Sequence, residues 1–272
     1  MLGSRYTVPP EKVQFYRAHG WVILDDVVSP AETARIRAIA EDMVSGRIDT
    51  RQSRADLGAH APQIISGAEN IIQIAWPSDL TSLLDENEAI QAARTLSEQL
   101  YGDAPGSWAL DMNQLLIKSP RTMTDTPLHQ DQSYYIPLPD PRGVNVWVAL
   151  QDVSEEMGCL QFEDSPLDAP AKMRTHWPAG RGNGALTCGE PDFTSLTPAP
   201  IRAGSVTVHS QLTPHYALGN ATDTARYAYV VQTRPSASVR DARIRGFDHG
   251  RMKGNVPRDV NNDAGGPGGG AL

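Results

Sequence analysis

Apolar residues in the first hundred positions of the chain recur at helical spacing, with turn residues between the runs. A first helix is predicted from about Pro10 to His19, where Gly20 ends it, and a strand from Trp21 to Leu24 follows. These apolar stripes are typical of core packing. They predict a helical N-terminal part of the chain, at about residues 10–102.

Local capping signals define two more helices in this part. Ser29 precedes a proline and has Glu32 three positions later, which predicts a capping box at the start of a helix that Gly46 ends. A third helix is predicted over about Asn87 to Leu100, with Gly102 as the stop. The helix boundaries therefore rest on residues within a few positions of each end.

From about Trp108 the pattern changes to short β-type runs separated by Pro, Gly and Asn. The predicted strands are Trp108–Lys118, Val144–Gln151, Cys159–Phe162, Ile201–His209 and Arg226–Thr233. Strands at this spacing, without helices between them, predict an antiparallel sandwich or barrel over about residues 108–233.

A long segment rich in Pro, Gly and Thr interrupts these strands between Asp164 and Pro200. A connection of this length inside a compact domain is usually functional, so a lid or substrate-shaping insertion is predicted at residues 164–200. The last residues, 254–272, end in GGPGGGAL and are predicted to be a disordered tail. Residues 1–253 are predicted to form one domain.

Composition narrows the partners that this chain is expected to have. It has 272 residues and a formal net charge of −8 with scattered basic residues, which argues against nucleic acid and anionic membranes as partners. No run of about 18 apolar residues is present, so no membrane span is predicted. Cys159 and Cys188 make no disulfide framework, and the N-terminus lacks the pattern of a secretory signal. We therefore expect a cytoplasmic protein that acts on a small molecule.

The stretch PLHQDQSYY holds the candidate metal chemistry, with His129 and Asp131 two positions apart. On a strand this spacing directs both side chains to one face. Two imidazoles and one carboxylate form the facial set that binds Fe(II) and leaves coordination positions open. His215 and His209 are the candidates for the second imidazole. An H-x-D pair alone is also common on protein surfaces, so the surrounding sequence is needed to decide whether this pair binds a metal.

Arg226 opens the apolar run RYAYVV and follows His215 by eleven positions. An arginine in such a run is unfavourable to bury unless an anion pairs with it. The guanidinium matches a carboxylate through two parallel hydrogen bonds, so a dicarboxylate cosubstrate could supply that anion. An internal salt bridge to a protein carboxylate is the alternative.

Three blocks of the sequence, in this order, resemble the phytanoyl-CoA dioxygenase family of Fe(II)/2-oxoglutarate-dependent oxygenases. They are FYRAHGWVILDDVVSPAE, PLHQDQSYYIPLPDPRGVNVWVALQDVSEEMGCLQF and GSVTVHSQLTPHYALGNATDTARYAYVVQ. The resemblance runs from Val13 to about Val231, and the joint occurrence of the blocks is far more specific than the H-x-D pair. It implies a mainly β fold with flanking helices, a double-stranded β-helix of the jelly-roll, cupin-like type.

The resemblance also implies roles for individual residues. The implied iron ligands are His129, Asp131 and His215, which leaves His209 as a neighbouring wall residue. The implied contacts of the cosubstrate 2-oxoglutarate are Arg226 at its distal carboxylate, Trp147 and Gln114. A core aromatic at Trp147 and a surface strand residue at Gln114 are the alternatives.

Two places near the expected site depart from the family pattern. Tyr216, Ala217 and Leu218 follow the last histidine, where the family usually has small residues such as Gly-Ser-Gly. Ala217 therefore lacks the hydroxyl that a serine there can donate to the cosubstrate. After Phe162 the family's Pro-Gly-Ser-His turn is replaced by Glu-Asp-Ser-Pro. These departures indicate a pocket rebuilt for a particular substrate.

The predicted function is an Fe(II)/2-oxoglutarate-dependent dioxygenase that uses O2 to hydroxylate a small-molecule metabolite, in specialised or natural-product metabolism, with release of succinate and CO2. Asp131 argues against halogenation, which would need a small residue at that position. The alternatives are cyclisation, desaturation or epimerisation with the same cofactors, a Zn or Mn jelly-roll hydrolase or isomerase, and a non-catalytic metal-binding scaffold. The candidate substrate contacts are Tyr134, Tyr135, Trp177 and Gln73.

Overall fold

The computed structural model describes residues 6–58, 69–169, 173–179 and 185–251. Within them the α-helices are α1 Pro10–His19, α2 Pro30–Val44, α3 Pro77–Leu80, α4 Glu88–Tyr101 and α5 Ser236–Ile244. Short 3-10 helices occur at Ser82–Leu84 and Asp131–Tyr134. The predicted tail, 254–272, and two pieces of the predicted lid, 170–172 and 180–184, lie outside the described residues. None of the described helices is long and apolar enough to cross a membrane.

Two antiparallel sheets and one separate pair of short strands make up the described β part of the molecule. The strands are β1 Trp21–Leu24, β2 Arg54–Asp56, β3 Ile71–Ala75, β4 Trp108–Lys118, β5 Thr126–His129, β6 Val144–Ala149, β7 Leu160–Phe162, β8 Trp177–Pro178, β9 Leu186–Thr187, β10 Thr197–Pro198, β11 Val206–Ser210, β12 His215–Ala217 and β13 Arg226–Pro235. The large sheet has the order β1-β11-β6-β13-β4-β3-β2, the small sheet has the order β10-β7-β12-β5, and β8 pairs with β9. The predicted jelly-roll class with flanking helices is confirmed, as a sandwich of two sheets rather than a closed barrel.

The predicted N-terminal elements form where their local signals place them. α1 ends at Gly20, whose φ of +80° is left-handed, and a Cβ there would come within 2.4 Å of the Ser165 carbonyl oxygen. Only glycine satisfies both conditions. α4 begins after Asn87, whose side chain accepts a hydrogen bond from the Ile90 N–H, and ends at the left-handed Gly102. The caps thus fix where these helices begin and end.

The predicted capping box at α2 is half correct. The Ser29 hydroxyl accepts a hydrogen bond from the Glu32 N–H, as predicted, at 3.3 Å. The Ser29 N–H, however, donates to the Glu88 carboxylate on α4 at 3.0 Å, while the Glu32 carboxylate binds Arg35. A carboxylate from a neighbouring helix therefore completes the cap, and the same hydrogen bond joins α2 to α4.

Alternation along the strands of the large sheet gives it two different faces. The outer face is apolar and packs against α2 and α4. Its buried side chains include Leu115, Ile117, Val144, Val146, Val148, Val206, Val208, Tyr229 and Val231. This layer is the main hydrophobic core, and it lies on the opposite side of the sheet from the inner face.

The inner face of the large sheet looks toward the small sheet and carries several polar side chains. By register it includes Gln114, Leu116, Lys118, Asn145, Trp147, Thr207, His209, Arg226 and Val230. An apolar cluster shared with the small sheet, which includes Phe162 and Ala217, fills part of the space between the sheets. Polar groups on an inner face need partners, so this space is where a ligand is expected.

Some predicted boundaries were wrong. The strand predicted over Ile201–His209 begins only at Val206, because the chain turns at Gly204, whose φ is +79°. The last strand runs on to Pro235, and α5 follows it directly. The elements that were not predicted are helices α3 and α5 and strands β2, β3, β8, β9, β10 and β12, of which β12 carries His215.

The described part of the predicted lid, residues 164–200, packs partly against the outside of the small sheet. Leu196 joins Leu128 and Tyr216 in a small apolar cluster on that outer face. The Cys188 N–H donates to the Leu128 carbonyl at 2.9 Å, and β10 extends the small sheet beside β7. This segment therefore braces the sheet that holds both histidines of the candidate metal site.

Candidate metal and cosubstrate site

Three side chains converge at one end of the small sheet. His129 is the last residue of β5, and His215 is the first of β12 and lies directly opposite it in register. Asp131 opens the 3-10 helix that follows. The H-x-D pair was predicted to lie on a single strand, and this prediction was wrong. Gln130 between them is extended, with φ −115° and ψ 129°, which still directs both side chains to one side. Potential ligand atoms of all three residues lie within 4.8 Å of one another.

Backbone carbonyls orient both imidazoles. His129 Nδ1 lies 2.7 Å from the Pro127 carbonyl oxygen, and His215 Nδ1 lies 3.0 Å from that of Thr213. Because a carbonyl only accepts, each Nδ1 carries a hydrogen, and each Nε2 is the nitrogen that a metal would bind. Those Nε2 atoms face Asp131, at 3.3 Å and 3.8 Å from its carboxylate oxygens. This arrangement of carbonyl, imidazole and carboxylate is typical of a metal site.

The electrostatics of the cluster favour the protonation states that bind metal at His215 and Asp131, while a proton competes with a metal at His129. Burial, and then the nearby His129, lower the pKa of His215 to about 3, so that this imidazole is neutral near pH 7. Burial by itself raises the pKa of Asp131, but His215 and the hydrogen bonds from His129 and His209 outweigh it and hold that pKa well below its usual range. Burial opposes protonation of His129, yet its bond to Asp131 raises the pKa. A cation at the centre would take the place of that proton.

Two further side chains hold the carboxylate. His209 Nε2 lies 3.1 Å from Asp131 Oδ2, and the Asn145 amide donates to the same oxygen. His209, the alternative ligand in the sequence, is therefore a neighbour of the carboxylate, and it is not part of the group of described residues whose ligand atoms converge. Sequence reasoning missed Asn145; the signal for it is its register position opposite His209 on the neighbouring strand.

Arg226 is buried at the start of β13 and has no ion pair among the described residues. Its Nη1 donates to the Gly158 carbonyl at 2.6 Å, while its buried Nε has no partner. Its guanidinium carbon lies 5.2 Å from the ring centre of Trp147, whose indole N–H is also buried and unpartnered. Burial lowers the pKa of Arg226 to about 10. Buried donors without acceptors are costly, and a bound carboxylate would satisfy them.

The remaining predicted residues lie in different places. Gln114 is partly exposed on the inner face, where it accepts a hydrogen bond from Gln73, so these two predicted residues are neighbours. The ring centre of Tyr134 is 5.8 Å from that of His129. The Tyr135 hydroxyl donates to Gln232, farther along the inner face. Trp177 is 48% exposed and lines an outer groove beside Leu128 and Tyr216, so the structure does not bring it to the inner face.

Residues of the predicted lid reach the backbone between two of the candidate ligands. The Gln130 N–H donates to His176 Nε2 at 3.0 Å, and the Arg174 N–H donates to the Gln130 side-chain oxygen at 2.8 Å. The Leu186 N–H donates to the Tyr134 hydroxyl at 2.9 Å. The segment therefore supports the metal cluster through main-chain hydrogen bonds.

The family model for phytanoyl-CoA dioxygenase (PhyH) matches residues 16–228, which is most of the chain. The chain belongs to the phytanoyl-CoA dioxygenase family. Among curated proteins it is 30% identical over 129 residues to phytanoyl-CoA dioxygenase domain-containing protein 1 from Danio rerio, and likewise to the Bos taurus protein. Each of these matches covers 46% of this chain and 44% of the relative, so the matched part spans under half of the relatives' length.

Solved structures of similar fold extend the comparison. EvdO2 from Micromonospora carbonacea var. aurantiaca is 27% identical with a TM-score of 0.65, over 85% of this chain and 92% of that one. A second EvdO2 structure, complexed with 2-oxoglutarate, is 26% identical with the same TM-score over the same shares. The carbocyclase SnoK is 23% identical with a TM-score of 0.63, over 89% and 91% of the two chains, and shares the fold. The predicted cofactors, Fe(II) and 2-oxoglutarate, are confirmed by the family and by the cluster of His129, Asp131 and His215.

Proposed function

We propose that the protein is an Fe(II)/2-oxoglutarate-dependent dioxygenase that hydroxylates a small-molecule metabolite in specialised metabolism. One observation carries this proposal: the cluster of two histidines and one aspartate lies in the same interior as a buried arginine that forms no ion pair with any described residue. Together they match a metal and a dicarboxylate cosubstrate. A Zn or Mn hydrolase would use the same metal ligands but would not need Arg226.

In this proposal His129, Asp131 and His215 hold iron, and the iron supplies the activation of O2 at its open positions. Arg226 binds the distal carboxylate of 2-oxoglutarate, and the Trp147 indole and Gln114 line its path along the inner face. Asn145 and His209 fix the orientation of the Asp131 carboxylate. The apolar cluster between the sheets keeps water from the interior, which strengthens every one of these polar contacts.

The substrate is proposed to enter beside Tyr134 and Tyr135, because both follow the metal ligands directly and Tyr134 lies against His129. The net charge of −8 supports a small metabolite over nucleic acid. Cyclisation, desaturation and epimerisation use the same cofactors. SnoK, a carbocyclase from nogalamycin biosynthesis, shares this fold, so the fold by itself does not select hydroxylation.

Anaerobic addition of Fe(II) and 2-oxoglutarate to the full chain tests the proposal. A visible metal-to-ligand charge-transfer band is expected from the unchanged protein, followed by succinate release when O2 is admitted. His129→Ala should abolish both signals, while His19→Ala, at a histidine that pairs with Asp164 near the surface, should keep them. A protein that shows no band, or a His129→Ala variant that keeps it, would contradict the oxygenase assignment and leave the hydrolase or scaffold alternatives.

A further inference from the structure

Two cationic side chains lie next to each other in the interior. Lys118, the last residue of β4, and Arg226, the first of β13, are direct register partners, and both side chains therefore project from the inner face. Lys118 is 0% exposed and Arg226 is 2% exposed. No ion pair involves either of them in the described parts of the chain. Two adjacent buried cations without a bound anion are strongly unfavourable.

The hydrogen bonds of the two side chains leave donors unused. The Lys118 ammonium donates to the Ala217 carbonyl at 3.1 Å and to the Leu218 carbonyl, which accounts for two of its three hydrogens. Arg226 donates to one carbonyl and keeps a buried Nε without a partner. Carbonyl oxygens carry only partial charge, so they do not neutralise either cation.

The surroundings of Lys118 disfavour its charged form when no anion is bound nearby. Burial, and then the nearby Arg226, lower the pKa of the Lys118 ammonium well below its usual range, and the opposing effects of Asp125 and Cys159 are smaller. The Asp125 carboxylate accepts a hydrogen bond from the Tyr216 hydroxyl, on the outer face of the small sheet. An anion that entered the interior beside Arg226 would reverse this balance and favour the charged lysine.

We propose that Lys118 is a second cationic partner of the distal carboxylate of 2-oxoglutarate, beside Arg226. Its ammonium lies at the backbone of Ala217, whose methyl side chain can donate no hydrogen bond to a ligand. The lysine thus supplies the donor that position 217 lacks. This inference rests on the proposed function, because it requires 2-oxoglutarate to occupy the interior.

The pair also predicts which 2-oxo acid this site accepts. The planar fork of Arg226 can bind one edge of a carboxylate, and the point charge of Lys118 can bind an oxygen from the side. 2-Oxopentanoate has the same chain length as 2-oxoglutarate but no distal carboxylate. It would leave both cations buried and unpaired, so the site should select strongly against it.

Calorimetric titration of the full chain, loaded with Mn(II) in place of Fe(II), tests the role of Lys118. In Lys118→Met the dissociation constant for 2-oxoglutarate should rise roughly 10- to 100-fold, the loss expected for one charge-assisted hydrogen bond. Binding of 2-oxopentanoate should not weaken, since this acid makes no contact with the ammonium and leaves it unpaired. Lys12→Met, at a lysine on α1, serves as the control and should bind both acids as the unchanged protein does.

A purely structural role for Lys118 predicts different results. If the ammonium only supports the backbone at Ala217 and Leu218, Lys118→Met should lower the melting temperature and weaken both acids equally, or leave 2-oxoglutarate binding intact. Either result would overturn the inference. The inference expects an unchanged or higher melting temperature, and partial recovery of 2-oxoglutarate affinity when Ala217→Ser is added to Lys118→Met. An unchanged protein that does not bind 2-oxoglutarate at all would overturn the proposed function itself.

Discussion

Strand β13 buries an arginine on the inner face near each of its ends, and the two arginines differ in their surroundings. Arg234, near the end of the strand, is 0% exposed, and its Nε lies 3.2 Å from Asp111 Oδ2. Its guanidinium carbon also lies 4.2 Å from the ring centre of Tyr135. Arg226, at the start of the strand, has a lysine as its register partner and forms no ion pair with a carboxylate in the described parts of the chain. At one end of the interior a protein carboxylate lies beside the arginine, and at the other end the described residues supply none.

Asp111 supplies a protein anion at the Arg234 end of the interior. The carboxylate also binds Arg243 at 2.9 Å and His249 at 3.2 Å. Burial raises its pKa, but these three partners outweigh burial and lower the pKa to about 2. The chain therefore provides its own anion where an arginine is structural. Where it provides none, the arginine is expected to bind a ligand.

The largest effect is expected from Asp111→Asn. Removing the charge leaves Arg234 buried without its anion, which should lower the free energy of unfolding by about 3–5 kcal/mol. Urea denaturation followed by circular dichroism measures this change. Asp223→Asn, which breaks an exposed ion pair with Arg121, is the matched control and should leave the midpoint nearly unchanged. Equal effects from both variants would mean that the Arg234 end is not a buried structural ion pair.

The opposite result is expected at the other end of the strand. Arg226→Met should weaken 2-oxoglutarate binding roughly 100-fold, or about 3 kcal/mol, because two parallel charge-assisted hydrogen bonds are lost. Its free energy of unfolding should stay the same or rise, since the variant removes an unpaired buried cation. Calorimetry and urea denaturation on the same sample give both numbers. If Arg226→Met lowers the free energy of unfolding but keeps its affinity for 2-oxoglutarate, Arg226 is a structural arginine like Arg234, and the proposed difference between the two ends of β13 is wrong.

A smaller effect is expected from acid. The pKa of Asp111 is about 2 in the folded protein and about 3.9 in an unfolded chain, so the unfolded state binds its proton first as the pH falls. The stability contributed by this carboxylate is present above about pH 4 and is lost as the pH falls toward 2, a loss of about 2 kcal/mol. Between pH 5 and about pH 2.5 the melting temperature should fall less steeply with falling pH for Asp111→Asn than for the unchanged protein. Parallel slopes would show that the carboxylate is not stabilised in this way.

The sequence predicted those parts of the fold whose signals are local. Gly20, Ser29 and Gly102 end or begin helices through their own backbone and side chains, so α1, α2 and α4 could be recognised. β3 is buried along its whole length and shows no alternation, so it could not be distinguished from other apolar runs. α5 starts directly after β13 with Pro235 as its cap and no side-chain capping bond. Glu88 completes the cap of α2 from another helix, which no local pattern shows.

The residues of the candidate site also differ in whether a local sequence signal could predict them. His129, Asp131 and His215 could be proposed from their spacing and from the blocks around them. The roles of Lys118 and Asn145 could not be predicted from the residues around them in the sequence. Their neighbours in space are set by the register of β4, β6 and β13. Trp177 lies on a two-residue strand, too short for alternation to indicate which way it faces. Its proposed contact with substrate stays a prediction that the observed outer groove does not support.

The hydrogen bonds that residues 173–179 and 185–196 make beside the candidate metal ligands have an evolutionary consequence. His176 and Arg174 bind Gln130, and Leu186 binds Tyr134, so substitutions in these parts of the chain act on neighbours of the candidate metal ligands without altering a ligand. A lineage can therefore acquire a new substrate through insertions and substitutions here while the chemistry proposed for the metal site is conserved. Laboratory evolution of this enzyme should find gain-of-function changes in these parts of the chain sooner than in the inner strands.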